Sequence, residues 1–134
     1  MLLTRASEYA LLSLALIGEE GQPKDAETLA KQLGIPKSFL AKILQSLARA
    51  GILVSYKGAK GGFALNRRFD EISILDVIQA AEGKTPSVFE CSPAQECCPS
   101  DRGATCVIWP FLHRLQERID DFFDELTLKD ILER

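Results

Sequence analysis

Two short apolar patterns of helical period, separated by three residues, constrain the fold of this chain more than any other feature. The first pattern runs from Asp25, a suitable N-cap, to Leu33. Gly34-Ile35-Pro36 then ends one helix and opens the next, which is expected over Lys37–Ala50 and stops at Gly51. Two helices joined by a tight turn that contains glycine predict a helix-turn-helix.

A β-hairpin is predicted directly after the second of these helices. Its strands are Ile52–Ser55 and Gly62–Leu65, and the connection between them is rich in glycine and carries Lys57 and Lys60. A basic hairpin that follows a helix-turn-helix has the character of a wing. The sequence therefore predicts a winged helix-turn-helix in the N-terminal half of the chain.

Two further helices are predicted on either side of this unit. The first should run over Thr4–Ile17, where Thr4 is a suitable N-cap and the stop signals are Gly18 and Gly21-Gln22-Pro23. The fourth should run over Ser73–Ala81 and end near Gly83. Helices therefore supply most of the predicted core, and the expected fold class is mostly α.

The C-terminal half begins with a stretch that has no usable period. Residues 84–105 contain three prolines and three of the four cysteines, and a connection of this length is normally either functional or disordered. A long amphipathic helix is predicted over Val107–Leu126, and Thr127 can cap a short last helix over Leu128–Leu132. Most of the cysteines therefore lie on an irregular segment that leads into the long helix.

The charge distribution indicates a face for a polyanion. The net charge is −3, but residues 1–68 hold ten Lys/Arg and five Asp/Glu, a net of +5, whereas residues 69–134 hold six and fourteen, a net of −8. Residues 28–69 hold eight basic residues and no acidic one. A localised basic field beside an acidic half favours a DNA-binding face, and the alternative is a solvated basic helix face.

DNA recognition is assigned to the second helix of the helix-turn-helix and to the wing. The N-terminal residues of a recognition helix meet base edges in the major groove, where Lys donates to guanine, Ser serves either base type and Phe contacts a thymine methyl group. The predicted base contacts are Lys37, Ser38, Phe39 and Lys42. The predicted contacts to phosphate or the minor groove are Lys57 and Lys60 at the hairpin tip, and Arg49, Arg67 and Arg68 are placed for phosphates.

Other classes of protein have little support in the sequence. One histidine and no paired acid–base motif argue against an enzyme. No apolar stretch approaches the ~18 residues that a membrane span needs, and the N-terminus lacks the pattern of a signal peptide. We therefore expect a cytoplasmic transcription regulator whose partner is a double-stranded DNA operator.

All four cysteines are clustered, with the spacing Cys91-x5-Cys97-Cys98-x7-Cys106. In a cytoplasmic chain such clustering indicates metal binding or redox sensing more often than structural disulfides. A structural zinc site prefers two close pairs, a pattern that is missing here, whereas thiolates on a loop can hold an iron–sulfur cluster. The spacing leaves open an iron–sulfur cluster, zinc, a redox disulfide or reduced thiols without a role.

Four segments carry a resemblance to a known family. They are the opening Leu3–Leu11, the wing Gly58–Leu65, the three-cysteine loop and the ending Leu126–Leu132. Over essentially the whole chain these segments resemble the IscR/NsrR regulators of the Rrf-two family, and the wing and the loop are the specific parts. The resemblance implies a homodimer paired through the long helix, with an iron–sulfur cluster of two or four irons held between that helix and the DNA-binding domain.

The resemblance also implies three functional parts. Residues 1–83 would form the winged helix-turn-helix DNA-binding domain, residues 84–105 the cluster loop, and residues 106–134 the dimerisation helix and the short C-terminal helix. The expected fold class is accordingly a mostly α protein, in which a winged helix-turn-helix domain is joined to a long C-terminal dimerisation helix.

Three cluster ligands follow from the same resemblance. Cys91 and Cys106 are two of them. The middle ligand is Cys98, which precedes a proline as this ligand often does in relatives, or Cys97, which keeps the common spacing of five intervening residues. The doubled cysteine is a departure from the family pattern.

The fourth ligand in relatives is a histidine three residues after the last cysteine, or an acidic residue of the first helix. Trp109 stands at the first position and cannot ligate, while Glu8 matches the second and would come from the partner subunit. The alternative for Glu8 is a solvated carboxylate near the positive end of its helix. His113, the one histidine, is expected on the surface or on the dimer face.

These expectations describe a homodimeric regulator that senses redox state, nitric oxide or iron–sulfur status. A change at the cluster should reorder residues 84–105, shift the first helix and thereby move the two recognition helices of the dimer. The alternative is a cluster-free regulator of the same fold that responds to thiol chemistry or to a metabolite.

Overall fold

A computed structural model of the chain describes residues 3–59, 61–89, 91–94, 96 and 106–133. They fold as a mostly helical structure with one small antiparallel hairpin, as predicted, and no helix in these ranges is long and apolar enough to cross a membrane. The helices are α1 (Arg5–Glu20), α2 (Ala26–Leu33), α3 (Lys37–Arg49), α4 (Ile74–Glu82), α5 (Trp109–Glu125) and α6 (Leu128–Leu132), and the strands are β1 (Leu53–Tyr56) and β2 (Gly62–Leu65).

Helix α1 lies at the centre of the molecule. Ala10, Leu14 and Ile17 recur at helical spacing along it and are at most 2% exposed, because this stripe faces α2, α3, α4 and β2. The neighbouring elements complete the same hydrophobic core with buried aliphatic residues: Leu29, Leu40, Leu44, Leu47, Ile52, Leu53, Ile72, Val77 and Ile78. The position of the recognition helix therefore depends on the packing of α1.

Helix α1 continues past the glycine that was expected to stop it. Gly18 is helical, and the helix runs to Glu20 before Gly21, which also belongs to the predicted stop signals, ends it with a φ of 64°. A Cβ atom at Gly18 would overlap the ring of Phe69, which lies in a short 3₁₀ turn. The predicted stop at Gly18 is wrong because this glycine serves tertiary packing: it lets the aromatic ring rest directly on the helix backbone.

Both ends of α2 and the start of α3 have the capping residues that the sequence predicted. Asp25 accepts a hydrogen bond from the backbone N–H of Thr28 at 2.6 Å, and this bond lowers the pKa of Asp25 from its ordinary value. Gly34 ends α2 with a φ of 71°, and Pro36 precedes the first residue of α3. These two ends fix the direction in which α3 leaves the turn.

The C-terminal helices return to the core of the winged unit. Ser73 and Thr127 form an isolated β-bridge between the start of α4 and the end of α5. Leu128 in α6 is fully buried in the same hydrophobic cluster as α1, and α5 packs along α4. The predicted long helix is thus present as α5, which packs on α4 and leads into the buried Leu128 of α6.

The packing of Gly18 leads to a prediction for Gly18→Ala. Alanine normally stabilises a helix interior by about 1 kcal/mol relative to glycine, but here the added methyl group meets the Phe69 ring, and overpacking costs about 1–3 kcal/mol. We expect Gly18→Ala to lower the free energy of unfolding measured in urea. Phe69→Leu should suppress that loss in the double variant. A Gly18→Ala protein more stable than the parent would contradict this packing.

Candidate DNA-binding surface and cysteine loop

The recognition helix α3 separates a buried face from a polar one. Leu40, Ile43, Leu44 and Leu47 are buried against the core. The other side carries four polar side chains spaced by four, three and four residues, which places them along one face of the helix. They are Ser38, Lys42, Gln45 and Arg49. Sequence analysis missed Gln45, although its spacing from Lys42 marks it, and a Gln amide can bond adenine.

The first turn of α3 is open to solvent and also contacts α1. Lys37, Ser38 and Phe39 are all exposed, as an N-terminal reading position requires. Phe39 is 40% exposed. Its ring makes an edge-to-face contact with the ring of Tyr9, with a centroid distance of 5.8 Å and an interplanar angle of 85°. The aromatic residue proposed to touch a base is thus held by a residue of α1.

The wing is docked on the connection between α1 and α2. Lys24 and Phe63 exchange two backbone hydrogen bonds, of 3.0 and 2.8 Å, which extends the hairpin by a third short strand-like contact. Gly62 allows this approach, since a Cβ atom there would lie 2.5 Å from the carbonyl carbon of Lys24. Lys57 is exposed beyond the end of β1, whereas Lys60 lies outside the described residues.

The arginines predicted to contact phosphate differ in their surroundings. Arg49 is exposed near the C-terminal end of α3, with its guanidinium 3.3 Å from the Ser46 hydroxyl. Arg68 donates to Asp70 at 2.7 Å with its side chain largely exposed. Arg67 is only 33% exposed and lies 3.9 Å from a carboxylate oxygen of Asp76 in α4. Of the three arginines, only Arg49 lies on α3. Among the described residues it has no acidic partner.

Two of the predicted cluster ligands lie at the N-terminal end of α5. Cys91 and Cys106 are both half-buried, and neither is in a disulfide within the described part of the chain. The indole N–H of Trp109 donates to the carbonyl of Cys91 at 2.8 Å, and Cys106 precedes Trp109 by three residues. Thiols are the ligands that an iron–sulfur cluster takes, so the chemistry of these two side chains fits the predicted cluster. Cys97 and Cys98 lie outside the described residues.

Glu8 is not brought to these cysteines within one chain. Its carboxylate is paired with Arg5 at 3.2 Å on the exposed side of α1. No group of three or more His, Cys, Asp or Glu residues among the described positions is arranged to hold a metal ion. Glu8 therefore stays a predicted ligand that would have to reach the cluster from a second subunit.

The N-terminal end of α1 is fixed close to the start of the cysteine loop. The backbone N–H of Thr4, the N-cap of α1, donates to Glu82 in the last turn of α4 at 2.9 Å. Residue 84, two positions further on, begins the predicted loop. The first turn of α1 and the beginning of the loop therefore share a point of attachment.

His113 faces the cysteine loop and is not turned away from it. Its Nδ1 atom lies 3.0 Å from the carbonyl oxygen of Ser92, and its ring stacks on Trp109 with centroids 4.8 Å apart. The expectation of a surface or dimer-face position is therefore only partly right, since the ring is half-exposed but bonded to the loop. The contact between His113 and Ser92 could not be predicted from the sequence, because neither of these residues belongs to a motif.

Comparison with known proteins places these features in a family. The sequence pattern of the family described as Rrf2, iron-dependent transcriptional regulator, matches residues 3–134. The chain is 30% identical to the HTH-type transcriptional regulator IscR of Pectobacterium atrosepticum over 98% of this chain and 79% of that protein. It is 36% identical to protein rrf2 of Nitratidesulfovibrio vulgaris over 81% of this chain and 74% of that protein.

Solved structures show a similar fold. The IscR structure from T. potens has a TM-score of 0.73 at 21% identity and covers 98% of this chain and 85% of that one. The CymR structure from Staphylococcus aureus has a TM-score of 0.71 at 24% identity and covers 98% of both chains. These two likenesses establish the fold alone, and the matched relatives are transcriptional regulators by name, not enzymes.

The docking of the wing can be tested with two glycine variants. Gly62→Ala should place a methyl group against the Lys24 backbone, while Gly58→Ala meets no atom within 4 Å, although both glycines have a positive φ. We expect both to lose the glycine-specific backbone freedom, and Gly62→Ala to lose a further 1–3 kcal/mol or so of stability through overpacking. Equal free energies of unfolding for the two variants would contradict the contact between Lys24 and the wing.

Proposed function

The chain belongs to the Rrf2 family of transcriptional regulators, and we propose that it is a homodimer whose affinity for its operator is set by an iron–sulfur cluster on the cysteine loop. The observation that carries the proposal is the position of Cys91 and Cys106. Both thiols are half-buried and unbonded at the end of a helix that packs on the DNA-reading unit. The signal would be redox state, nitric oxide or iron–sulfur status.

The reading surface in this proposal is the exposed face of α3 together with the wing. Lys37, Ser38, Phe39 and Lys42 contact base edges in the major groove, which fits their exposure at the first turns of the helix. The contacts to the DNA backbone come from the side chains of Lys57, Lys60, Arg49 and Arg67. Of these, Arg67 must leave its position beside Asp76 to reach a phosphate, so its contribution is the weakest of the set.

The dimer in this proposal forms along the outward face of α5. Ile108, Phe111 and Phe122 are 56%, 62% and 59% exposed. The half-buried Leu115 and Ile119 lie between Phe111 and Phe122 on the same side of the helix. An apolar stripe of this kind is normally covered by a partner. Pairing two copies there would present two recognition helices to successive major grooves. The division into residues 1–83, 84–105 and 106–134 follows from these roles.

The cluster site in this proposal combines residues of two subunits. Cys91, Cys106 and either Cys98 or Cys97 come from one chain, and Glu8 of the partner subunit supplies the fourth position. When bound, an iron–sulfur cluster supplies a centre whose redox state and integrity respond to the cell. A carboxylate at one position holds iron less firmly than a thiolate, and Glu8 is free to turn outward because its present partner, Arg5, is an exposed i,i+3 neighbour.

A route from the site to the DNA runs through α1. Glu8 and Tyr9 are consecutive residues of this helix, and Tyr9 contacts the ring of Phe39 at the first turn of α3. If Glu8 moves with the cluster, α1 carries Tyr9 with it and the rotamer or position of Phe39 changes. An aromatic contact contributes about 0.5–1.5 kcal/mol, which is enough to change operator affinity several-fold.

A cluster-free, thiol-responsive regulator is the second candidate. Two unbonded cysteines near the same helix end could join in a disulfide when hydrogen peroxide accepts the two electrons and two protons and is reduced to two molecules of water. In that case the same loop would be reordered without iron. The two candidates differ in colour, metal content and response to oxidant.

The DNA contact of the wing predicts a change in salt dependence. Lys57→Ala should weaken operator binding and reduce the magnitude of the slope of log K against log salt by about 0.9 for each phosphate contact removed. Lys129→Ala, an exposed lysine on α6, is the matched control and should leave the slope unchanged. Fluorescence anisotropy over a series of salt concentrations measures both. An unchanged slope for Lys57→Ala would remove this residue from the phosphate contacts.

The cluster predicts colour that depends on particular residues. Anaerobically purified protein should absorb in the visible region and contain iron and sulfide, and Cys91→Ser or Cys106→Ser should abolish both signals. Cys97→Ser and Cys98→Ser form a matched pair, of which only the middle ligand should bleach the protein. Glu8→Gln should leave a cluster with an altered spectrum. A colourless parent protein that holds zinc or no metal would contradict the cluster and favour the thiol-responsive regulator.

A further inference from the structure

We propose that Gln116 is a positioning residue that holds the Cys91 segment on α5 and so couples the order of the cysteine loop to that helix. Its side chain is 3% exposed on a helix that is otherwise rich in charged residues. Burial of an amide without partners would be costly, and here every partner but one belongs to residues 86–92.

The amide of Gln116 uses its full bonding capacity. Its Oε1 atom accepts from the backbone N–H of Val88 and from the hydroxyl of Ser92, each at 2.8 Å. Its Nε2 atom donates to the carbonyl of Pro86 and to the carboxylate of Asp120, also at 2.8 Å each. A Gln amide has two acceptor sites and two donor hydrogens, so four short bonds satisfy it. This match fits glutamine and no other residue type.

Ser92 extends the same network to the residue after Cys91. It is fully buried, and its hydroxyl accepts from the Phe89 N–H at 3.0 Å. The single hydroxyl proton is shared between Gln116 Oε1 at 2.8 Å and the Phe89 carbonyl at 2.7 Å. Gln116 therefore fixes both the segment before Cys91 and the residue that follows it.

Two further side chains of α5 bind the same segment. Trp109 donates to the Cys91 carbonyl at 2.8 Å, and His113 lies 3.0 Å from the Ser92 carbonyl. Trp109, His113 and Gln116 are spaced by four and three residues, so they share one face of the helix. This loop-binding face of α5, defined by these three residues, is distinct from the apolar stripe of Ile108, Phe111 and Phe122.

The arrangement makes α5 a template for Cys91. The backbone around a loop cysteine has little of its own to fix it, since the described residues 84–89 and 91–94 contain no regular helix or strand. Gln116 is the most buried of the three anchors, and its loss removes the side-chain acceptor of the Val88 N–H and one of the two acceptors of the buried Ser92 hydroxyl. The consequence for signalling rests on the proposed function, but the positioning of Cys91 does not require iron.

The test measures how well α5 shields and holds Cys91. In full-length protein carrying Cys97→Ser, Cys98→Ser and Cys106→Ser, Cys91 is the one remaining thiol, and its alkylation by iodoacetamide is followed by mass spectrometry at low urea concentrations. Gln116→Met keeps the length of the side chain and removes the amide. Gln79→Met is the matched control, because Gln79 donates to Thr85 at 3.1 Å at the exposed start of the loop.

We expect Gln116→Met to raise the alkylation rate of Cys91 by about tenfold, since the Val88 N–H loses its acceptor and the Ser92 hydroxyl loses one of its two acceptors. Below the unfolding transition this rate should not depend on urea. Gln79→Met should stay within about twofold of the parent. Ser92→Ala should also raise the rate and serves if Gln116→Met does not fold. The proposal would be overturned if the alkylation rates of Gln116→Met and Ser92→Ala equalled that of the parent. It would also be overturned if those rates rose only with global unfolding in urea.

This experiment needs neither iron nor DNA, so its outcome is separate from that of the proposed function. If the protein is colourless but Gln116→Met raises the alkylation rate of Cys91 tenfold, Gln116 anchors Cys91 and the cluster proposal is refuted. If the protein is coloured but Gln116→Met leaves the alkylation rate of Cys91 unchanged, the cluster proposal stands and the positioning role of Gln116 is refuted.

Discussion

The buried stripe of α1 is the constraint on which the rest of the structure depends. Ala10, Leu14 and Ile17 occupy the space between the reading unit and α4, and each is almost fully removed from water. Burying a large aliphatic side chain contributes roughly 1.5–3 kcal/mol, so α1 cannot shift independently of its neighbours. Gly18 extends this packing, because Phe69 rests on the helix backbone itself.

In the proposed function, other residues of the same helix link sensing to DNA reading. Thr4 is bonded to the end of α4, Glu8 faces solvent, and Tyr9 contacts Phe39 of the recognition helix. In the proposed dimer, a carboxylate that enters or leaves a cluster would act on a rigid rod and not on a flexible loop. Because the buried stripe resists deformation, a small movement at Glu8 would be passed on to Phe39 without being absorbed between them.

Sequence alone predicted those parts of the structure that local chemistry decides. Asp25 caps the start of α2 with its side chain, and Gly34 ends the helix with a positive φ. Both ends were predicted correctly. Gly18 was misread because a packing glycine and a stop glycine look the same until Phe69, fifty-one residues away, is placed against it. Gln116 gave no signal at all, since a polar residue on an amphipathic helix normally faces water.

The candidate site was predictable in part for the same reason. Clustered cysteines and a basic window are visible in the sequence, and so the type of chemistry could be inferred. Their anchoring could not, because it depends on contacts such as Trp109 with the Cys91 carbonyl, which join residues eighteen positions apart. The proposed role of Glu8 would depend on a second subunit, which no pattern within one chain can place.

The ratio of operator dissociation constants for cluster-loaded and cluster-free protein, measured anaerobically at one salt concentration, tests the central claim most directly. Coupling between two sites in a protein typically amounts to 1–3 kcal/mol, or about 5–150-fold. The account predicts that the two dissociation constants differ by at least about fivefold, in one direction or the other. Equal dissociation constants for the two forms would show that the cysteine loop does not control DNA binding.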